Sequence, residues 1–384
     1  LIAHGFAEDE RDATRLAFLA GVDMSMQSGF YGAHLPALVE SGAVPMDVLD
    51  EGVRRVLTVK EAIGLFDNPY RSLDPAAEAD RSHDAVHAAL AREAARRSIV
   101  MLKNEGALPL RKSGQKIALI GPFGADTDNL EGCWTLFGDA SRHVNIERGL
   151  RDALADASVL EVVAGSGMEA PIEGGIEAAV AAARRADVVL LAIGEPQNYS
   201  GEAQSRTQIV VPAAQQALAE AVAATGKPIV VLLKNGRALA LTGAVREAAA
   251  VLVTWFLGSQ TGPAIADVLF GDYNPSGRLP VSFPQDAGQQ PYFYNHPRTG
   301  RPELADQPPA FKARYREVTF EALYPFGHGL SDSNFDYSAP QAPASMGWDE
   351  TIVVSATVTN TGGVAGEEVV QLYIHDRVAS RVRP

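Results

Sequence analysis

Five short apolar runs constrain this chain more than any other feature: residues 117–120, 159–163, 188–193, 229–233 and 250–255. Runs of this length, punctuated by residues such as Gly121, Gly194 and Gly236, read as strands buried on both faces. Helical patterns lie between them. Residues 175–186 carry Ile176 and Val180 four apart, and residues 212–225 carry Leu218 and Val222 four apart, with Pro212 at the start and Gly226 beyond the end. Alternation of strand and helix from about residue 86 to 284 predicts a mostly parallel sheet with helices on both faces. Right-handed crossovers place the carboxyl ends of the strands along one edge, where Gly121, Gly194 and Asn235-Gly236 all fall. In open α/β sheets the loops beyond that edge hold the ligand chemistry.

The loop after residues 188–193 is polar and carries Glu195, Glu202, Ser205 and Arg206. Glu202, between Gly201 and Ala203, is a candidate general acid, with a solvated loop residue as the alternative. Trp134, in Gly132-Cys133-Trp134-Thr135, reads either as core filler or an interface plug, or as a stacking platform for a sugar ring. A short buried strand is expected at residues 22–26, and Met24 and Met26 at its end are core residues or a ligand wall. Phosphate-binding motifs fail on spacing: Ala221 and Pro228 flank Gly226-Lys227 where glycine and Ser/Thr are needed, and Gly121-Pro122-Phe123-Gly124 lacks the dinucleotide pattern. His83 and His87 lack a third metal ligand nearby, so a solvated helix start is the simpler reading.

A formal charge of −14 argues against nucleic-acid partners and acidic membrane surfaces. No apolar run approaches the ~18 residues of a membrane span. Cys133 is the single cysteine, which excludes an internal disulfide and reads as a small buried apolar residue. Residues 1–66 read as helix, strand, helix, helix, too little to fold around one short strand. Leu49, Val53, Val56 and Leu57 mark the last helix as amphipathic. A polar linker follows, then the α/β region, then a proline- and aromatic-rich strap. From Thr351 the period becomes two: Val354, Ala356 and Val358 precede the turn Asn360-Thr361-Gly362-Gly363, and Val370, Leu372 and Ile374 follow it. Both ends read as cuts within a longer protein.

Several runs together are distinctive. They include Ala20-Gly21-Val22-Asp23-Met24-Ser25-Met26, Ser98-Ile99-Val100-Met101-Leu102-Lys103-Asn104, Lys234-Asn235-Gly236-Arg237 and Thr254-Trp255-Phe256. Ala264-Ile265-Ala266-Asp267-Val268-Leu269-Phe270-Gly271-Asp272, Asn274-Pro275-Ser276-Gly277-Arg278-Leu279-Pro280 and Tyr324-Pro325-Phe326-Gly327-His328-Gly329-Leu330-Ser331 complete the set. Through them the chain resembles glycoside hydrolase family 3, in its branch of bacterial periplasmic β-glucosidases. That resemblance implies the tail of a (β/α)8-type barrel in residues 1–68, a linker at 69–85, a doubly wound α/β sandwich domain at 86–290, an extended strap at 291–337, and the start of a fibronectin-type-III-like β-sandwich at 338–384. It implies that Glu202, in Glu202-Ala203-Gln204-Ser205-Arg206, is the general acid/base, and that the nucleophilic aspartate lies upstream of Leu1. Trp134, Arg206 and Met26 are the expected substrate-binding residues, with Arg206 also shaping the loop.

The implied activity is that of an exo-acting retaining β-D-glucosidase that removes terminal non-reducing sugars from oligosaccharides or glycosides. Such an enzyme needs two carboxyl groups ~5–5.5 Å apart and no metal or organic cofactor. Burial in a closed cleft is expected to keep Glu202 protonated. A β-xylosidase or arabinosidase of the same family is the alternative, and a non-catalytic carbohydrate-binding or scaffold fragment a third. By the same resemblance the location is periplasmic or secreted; a homodimer is left open.

Overall fold

The computed structural model describes residues 1–77, 85–297, 300–301 and 313–381. His83, part of the expected linker and part of the strap lie outside the described residues. The chain divides into two compact units, Leu1–Asp84 and Ala85–Pro384.

Among its described residues the first unit holds the helices α1 (Glu10–Leu19), α2 (Phe30–Glu40) and α3 (Met46–Ala62). Asp9 caps α1, its carboxylate accepting from the Asp12 N–H at 2.7 Å. Phe18, Leu38 and Val44 form a small core, with the Phe18 and Tyr31 rings edge to face at 5.5 Å. The expected strand at residues 22–26 is absent, and Met26, read as core or ligand wall, is 97% exposed. The described part of this unit offers no second strand, and an extended segment without a ladder partner stays irregular. Instead Asp23 receives two hydrogen bonds of 2.7 Å from the Arg55 guanidinium on α3. Leu49 packs on the core, whereas Val53 and Leu57 on the same helix are exposed.

The second unit is built on a six-stranded sheet: β1 (Val100–Asn104), β2 (Ile117–Ile120), β3 (Leu160–Val163), β4 (Val188–Gly194), β5 (Ile229–Lys234) and β6 (Ala250–Val253), in spatial order β1-β6-β5-β4-β2-β3. All pairings are parallel except β1 with β6. Every residue of β4 is buried, so its side chains alternate between two cores, Val189, Leu191 and Ile193 in one and Val188, Leu190 and Ala192 in the other. Helices α6 (Gly175–Arg185) and α7 (Ala213–Ala223) contribute Ala179, Leu218 and Val222 to the first core. On the other face, α4 (Ala85–Ser98), α5 (Ile146–Ala153) and α9 (Thr261–Leu269) contribute Ala95, Leu150 and Ile265. The short α8 (Gly243–Arg246) lies between β5 and β6.

Three details differ from the sequence reading. The antiparallel edge strand β1 was not anticipated; its Met101 carbonyl accepts from the Leu330 N–H at 2.8 Å, so the segment at Leu330 covers part of its open edge. Cys133 is only half-buried. Two three-residue strands pair, β7 (Phe335–Tyr337), which falls within the stretch expected as a strap, and β8 (Val358–Asn360), but Val370, Leu372 and Ile374 form no strand and are exposed. The alternation gives them a common face, yet no neighbouring strand among the described residues accepts their backbone. The turn between is formed, with the Asn360 side chain accepting from the Gly362 N–H at 2.9 Å and donating to the Val364 carbonyl at 2.8 Å.

Candidate active site

The loop that follows β4 starts at a constrained point. Gly194 has φ +137°, and a Cβ there would lie 1.8 Å from the Lys234 carbonyl oxygen on β5. The buried Gln215 side chain of α7 accepts from the Gly194 N–H at 2.8 Å and donates to its carbonyl at 2.9 Å. The next residue, Glu195, is completely buried. Its carboxylate is held by two guanidiniums, Arg206 on one oxygen and Arg237 on the other, the latter at 3.1 Å. Burial of a carboxylate is tolerated when such partners replace its lost hydration.

From this base the loop rises through a turn at Gln197–Tyr199 to a crest at Gly201, Glu202 and Ala203. Gly201 and Ala203 both adopt positive φ, +107° and +61°, so the residue between them is set out by a sharply turned backbone. For alanine that conformation costs ~1–2 kcal/mol. Glu202 is exposed: no described residue buries it, so the partial burial expected of it is absent. A Cβ on Gly201 would approach the Cys133 sulfur at 2.9 Å and the Trp134 ring at 3.8 Å. The crest thus sits against Cys133 and beside Trp134, which is 72% exposed and is not core filler.

Arg206 turns away from the crest. It pairs with Glu195 and lies over the Tyr199 ring, 4.4 Å from its centroid. Burial, and then the Glu169 carboxylate, push the Tyr199 phenol pKa up. Met26 belongs to the other compact unit. A cavity of about 430 Å³ lies under the neighbouring loop, lined by Glu131, Cys133, His143, Gln197 and Asn198 among others. His143 Nε2 is 3.1 Å from the Glu131 carboxylate, and its Nδ1 lies 2.6 Å from the Thr127 carbonyl. No group of three His, Cys, Asp or Glu side chains converges on a metal position among the described residues.

Sequence reasoning missed the supporting residues. Lys234, at the end of β5, is buried between the Phe123 and Phe256 rings, 5.7 and 5.5 Å from their centroids, and donates to the Asn129 carbonyl at 2.9 Å. Burial lowers its pKa to about 8, with Asp126 opposing the shift. Asn129 in turn accepts the Gln197 N–H at 3.0 Å, tying the two loops together. The run Lys234-Asn235-Gly236-Arg237 stood out only as part of the family resemblance, and nothing in it marks Lys234 as buried.

Fold and site together define the class: an open α/β domain that presents a solvent-facing carboxylate beyond the carboxyl ends of its strands. Residues 99–332 match the Glycosyl hydrolase family 3 C-terminal domain, and the chain belongs to that family. It is 42% identical to the periplasmic beta-glucosidase of Salmonella typhimurium, over 100% of this chain and 53% of that protein. A beta-xylosidase of Formosa agariphila is 34% identical, over 98% of this chain and 53% of its own length. Among solved structures, the beta-glucosidase from Listeria innocua in complex with glucose superposes with a TM-score of 0.88 at 38% identity, covering 100% of this chain and 52% of that one. The chain spans about half the length of these relatives.

Proposed function

We propose that the protein is an exo-acting retaining β-D-glucosidase in which Glu202 is the general acid/base. The observation that carries this reading is the crest itself: a carboxylate set out between two positive-φ residues, beside an exposed indole, in the stretch Glu202-Ala203-Gln204-Ser205-Arg206. Glu202 protonates the leaving oxygen, then takes the proton of the incoming water as it attacks the glycosyl-enzyme. Arg206 is spent on Glu195, and among the described residues no cation pairs directly with the Glu202 carboxyl. Trp134 stacks on a sugar ring; Met26, on the first unit, is a proposed substrate-binding residue.

The organisation implied by the family fits this scheme: residues 1–68 as barrel tail, 69–85 as linker, 86–290 as the acid/base-bearing domain, 291–337 as strap and 338–384 as the start of a fibronectin-type-III-like domain. A periplasmic or secreted location is supported by the name of the Salmonella relative. The xylosidase relative favours a second reading, a β-xylosidase or arabinosidase on the same machinery.

Glu202→Gln in the full-length protein tests the assignment. Hydrolysis of a glycoside with a poor leaving group should fall ~10²–10⁴-fold. A dinitrophenyl glycoside, which needs little protonation, should lose less in its first step, and azide should restore turnover by replacing activated water. Equal losses on all substrates without azide rescue would make Glu202 structural. Release rates on nitrophenyl glucoside, xyloside and arabinoside decide the sugar.

A further inference from the structure

The crest that bears Glu202 has little regular structure of its own. Its internal backbone bonds are those of one short turn, from Tyr199 N–H to the Pro196 carbonyl at 3.1 Å and from Ser200 N–H to the Gln197 carbonyl at 3.2 Å. What ties its two legs together comes from the neighbouring loop after β5. Arg237 Nε donates to the buried Glu195 carboxylate, and one Nη donates both to the Tyr199 carbonyl and, at 3.0 Å, to the Gln204 carbonyl. Tyr199 and Gln204 stand on either side of the crest, so a single guanidinium bridges its rising leg, its falling leg and its buried base. Arg206, fixed on the same carboxylate and lying over the Tyr199 ring, closes the falling leg from below.

We propose that Arg237 is a positioning residue for catalysis: its fork, anchored on Glu195, sets the height and direction of the Glu202 carboxyl without touching substrate. The inference rests on the acid/base reading of Glu202 and goes beyond it. The fork is essential to the idea. An ammonium at this position keeps the charge and satisfies Glu195, but as a compact point donor it does not span two carbonyls and a carboxylate at once. Proton transfer is sensitive to misplacement of the donor by about 1 Å, which costs ~10²-fold. A clamp that serves only folding would instead weaken all substrates alike.

The test is Arg237→Lys in the full-length enzyme, beside Glu202→Gln and the double variant. On a poor leaving group, kcat/KM of Arg237→Lys should fall roughly 10–10²-fold. On a dinitrophenyl glycoside the loss should be several-fold smaller, azide should recover part of any loss in kcat, and the alkaline limb of the pH profile should move. In the Glu202→Gln background the same change should add nothing. Equal losses across leaving groups, or a full additional loss in the double variant, overturn the proposal while leaving Glu202 in place. If Glu202→Gln itself shows neither leaving-group dependence nor azide rescue, both readings fall together. Should Arg237→Lys not accumulate as folded enzyme, Glu195→Gln, of the same shape but without the charge that anchors the fork, carries the same comparison with the same expected and overturning outcomes.

Discussion

At the scale of single residues, Lys234 carries a free-energy penalty that depends on pH. Its ammonium is buried between two phenyl rings with one carbonyl partner, and burial lowers its pKa from 10.5 to about 8. Between those values the unfolded chain holds a proton that the folded chain has released, so stability should rise with pH through this window. Below about pH 8 the penalty is fully present. A shift of this size corresponds to ~3 kcal/mol. In Lys234→Met the slope disappears. Urea unfolding of parent and variant from pH 7 to 10.5 should therefore show the parent gaining ~3 kcal/mol relative to the variant, and parallel curves would refute the argument. Nothing in the sequence marks this lysine as buried, because a lysine closing an apolar strand ordinarily reaches solvent. Glu195 was hidden for a related reason: its burial depends on Arg206 and Arg237, which the chain brings back from eleven residues away and from the loop after the next strand. Glu202 was legible as a displayed carboxylate, but its role came from the family resemblance rather than from spacing.

At the scale of elements, the end of β4 fixes where the site begins. Gly194 pairs with Lys234, and its φ of +137° together with the 1.8 Å approach to the Lys234 carbonyl leaves no room for a side chain. Gly194→Ala should destabilise the domain by roughly 3 kcal/mol, the sum of left-handed strain and overpacking against backbone. Gly226, just beyond α7, has a comparable sign of φ, +73°, but an added methyl there would meet nothing within 4 Å, so Gly226→Ala should cost only ~1–2 kcal/mol. Thermal melts of the two variants separate crowding from conformational strain; equal shifts would mean that the strand end relaxes. The central parallel strands were readable because both of their faces are buried, which writes a continuous apolar run into the chain. The edge strand β1 was not, since its run ends in Lys103 and Asn104 and its pairing partner β6 lies some 150 residues away. The segment at residues 22–26 failed in the opposite sense: its composition suits a strand, but a strand needs a neighbour, and composition does not show whether one is present.

At the scale of the whole molecule, the two compact units differ in what holds them. The second has a sheet covered on both faces, with two cores that run the length of its central strands. The first has Phe18, Leu38 and Val44 at its centre and leaves Phe6, Val53, Leu57, Val59 and Phe66 exposed. At ~25 cal/mol per Å² of buried apolar surface, so small a cluster does not offset the ordering of three helices. Residues 85–384 expressed alone should give a cooperative thermal transition with the α/β signature in circular dichroism, because the strands, covering helices and cap on β1 all lie inside that segment. Residues 1–84 expressed alone should show weak helicity that fades gradually on heating, and their exposed apolar side chains should bind a hydrophobic dye. A sharp transition in the short piece would mean that helices α1, α2 and α3 are self-sufficient. The same asymmetry explains why the strands of the second unit were legible while, in the first, the helices were anticipated but the strand at residues 22–26 was wrongly expected: a strand forms where it has a pairing partner, and the first unit offers none among its described residues.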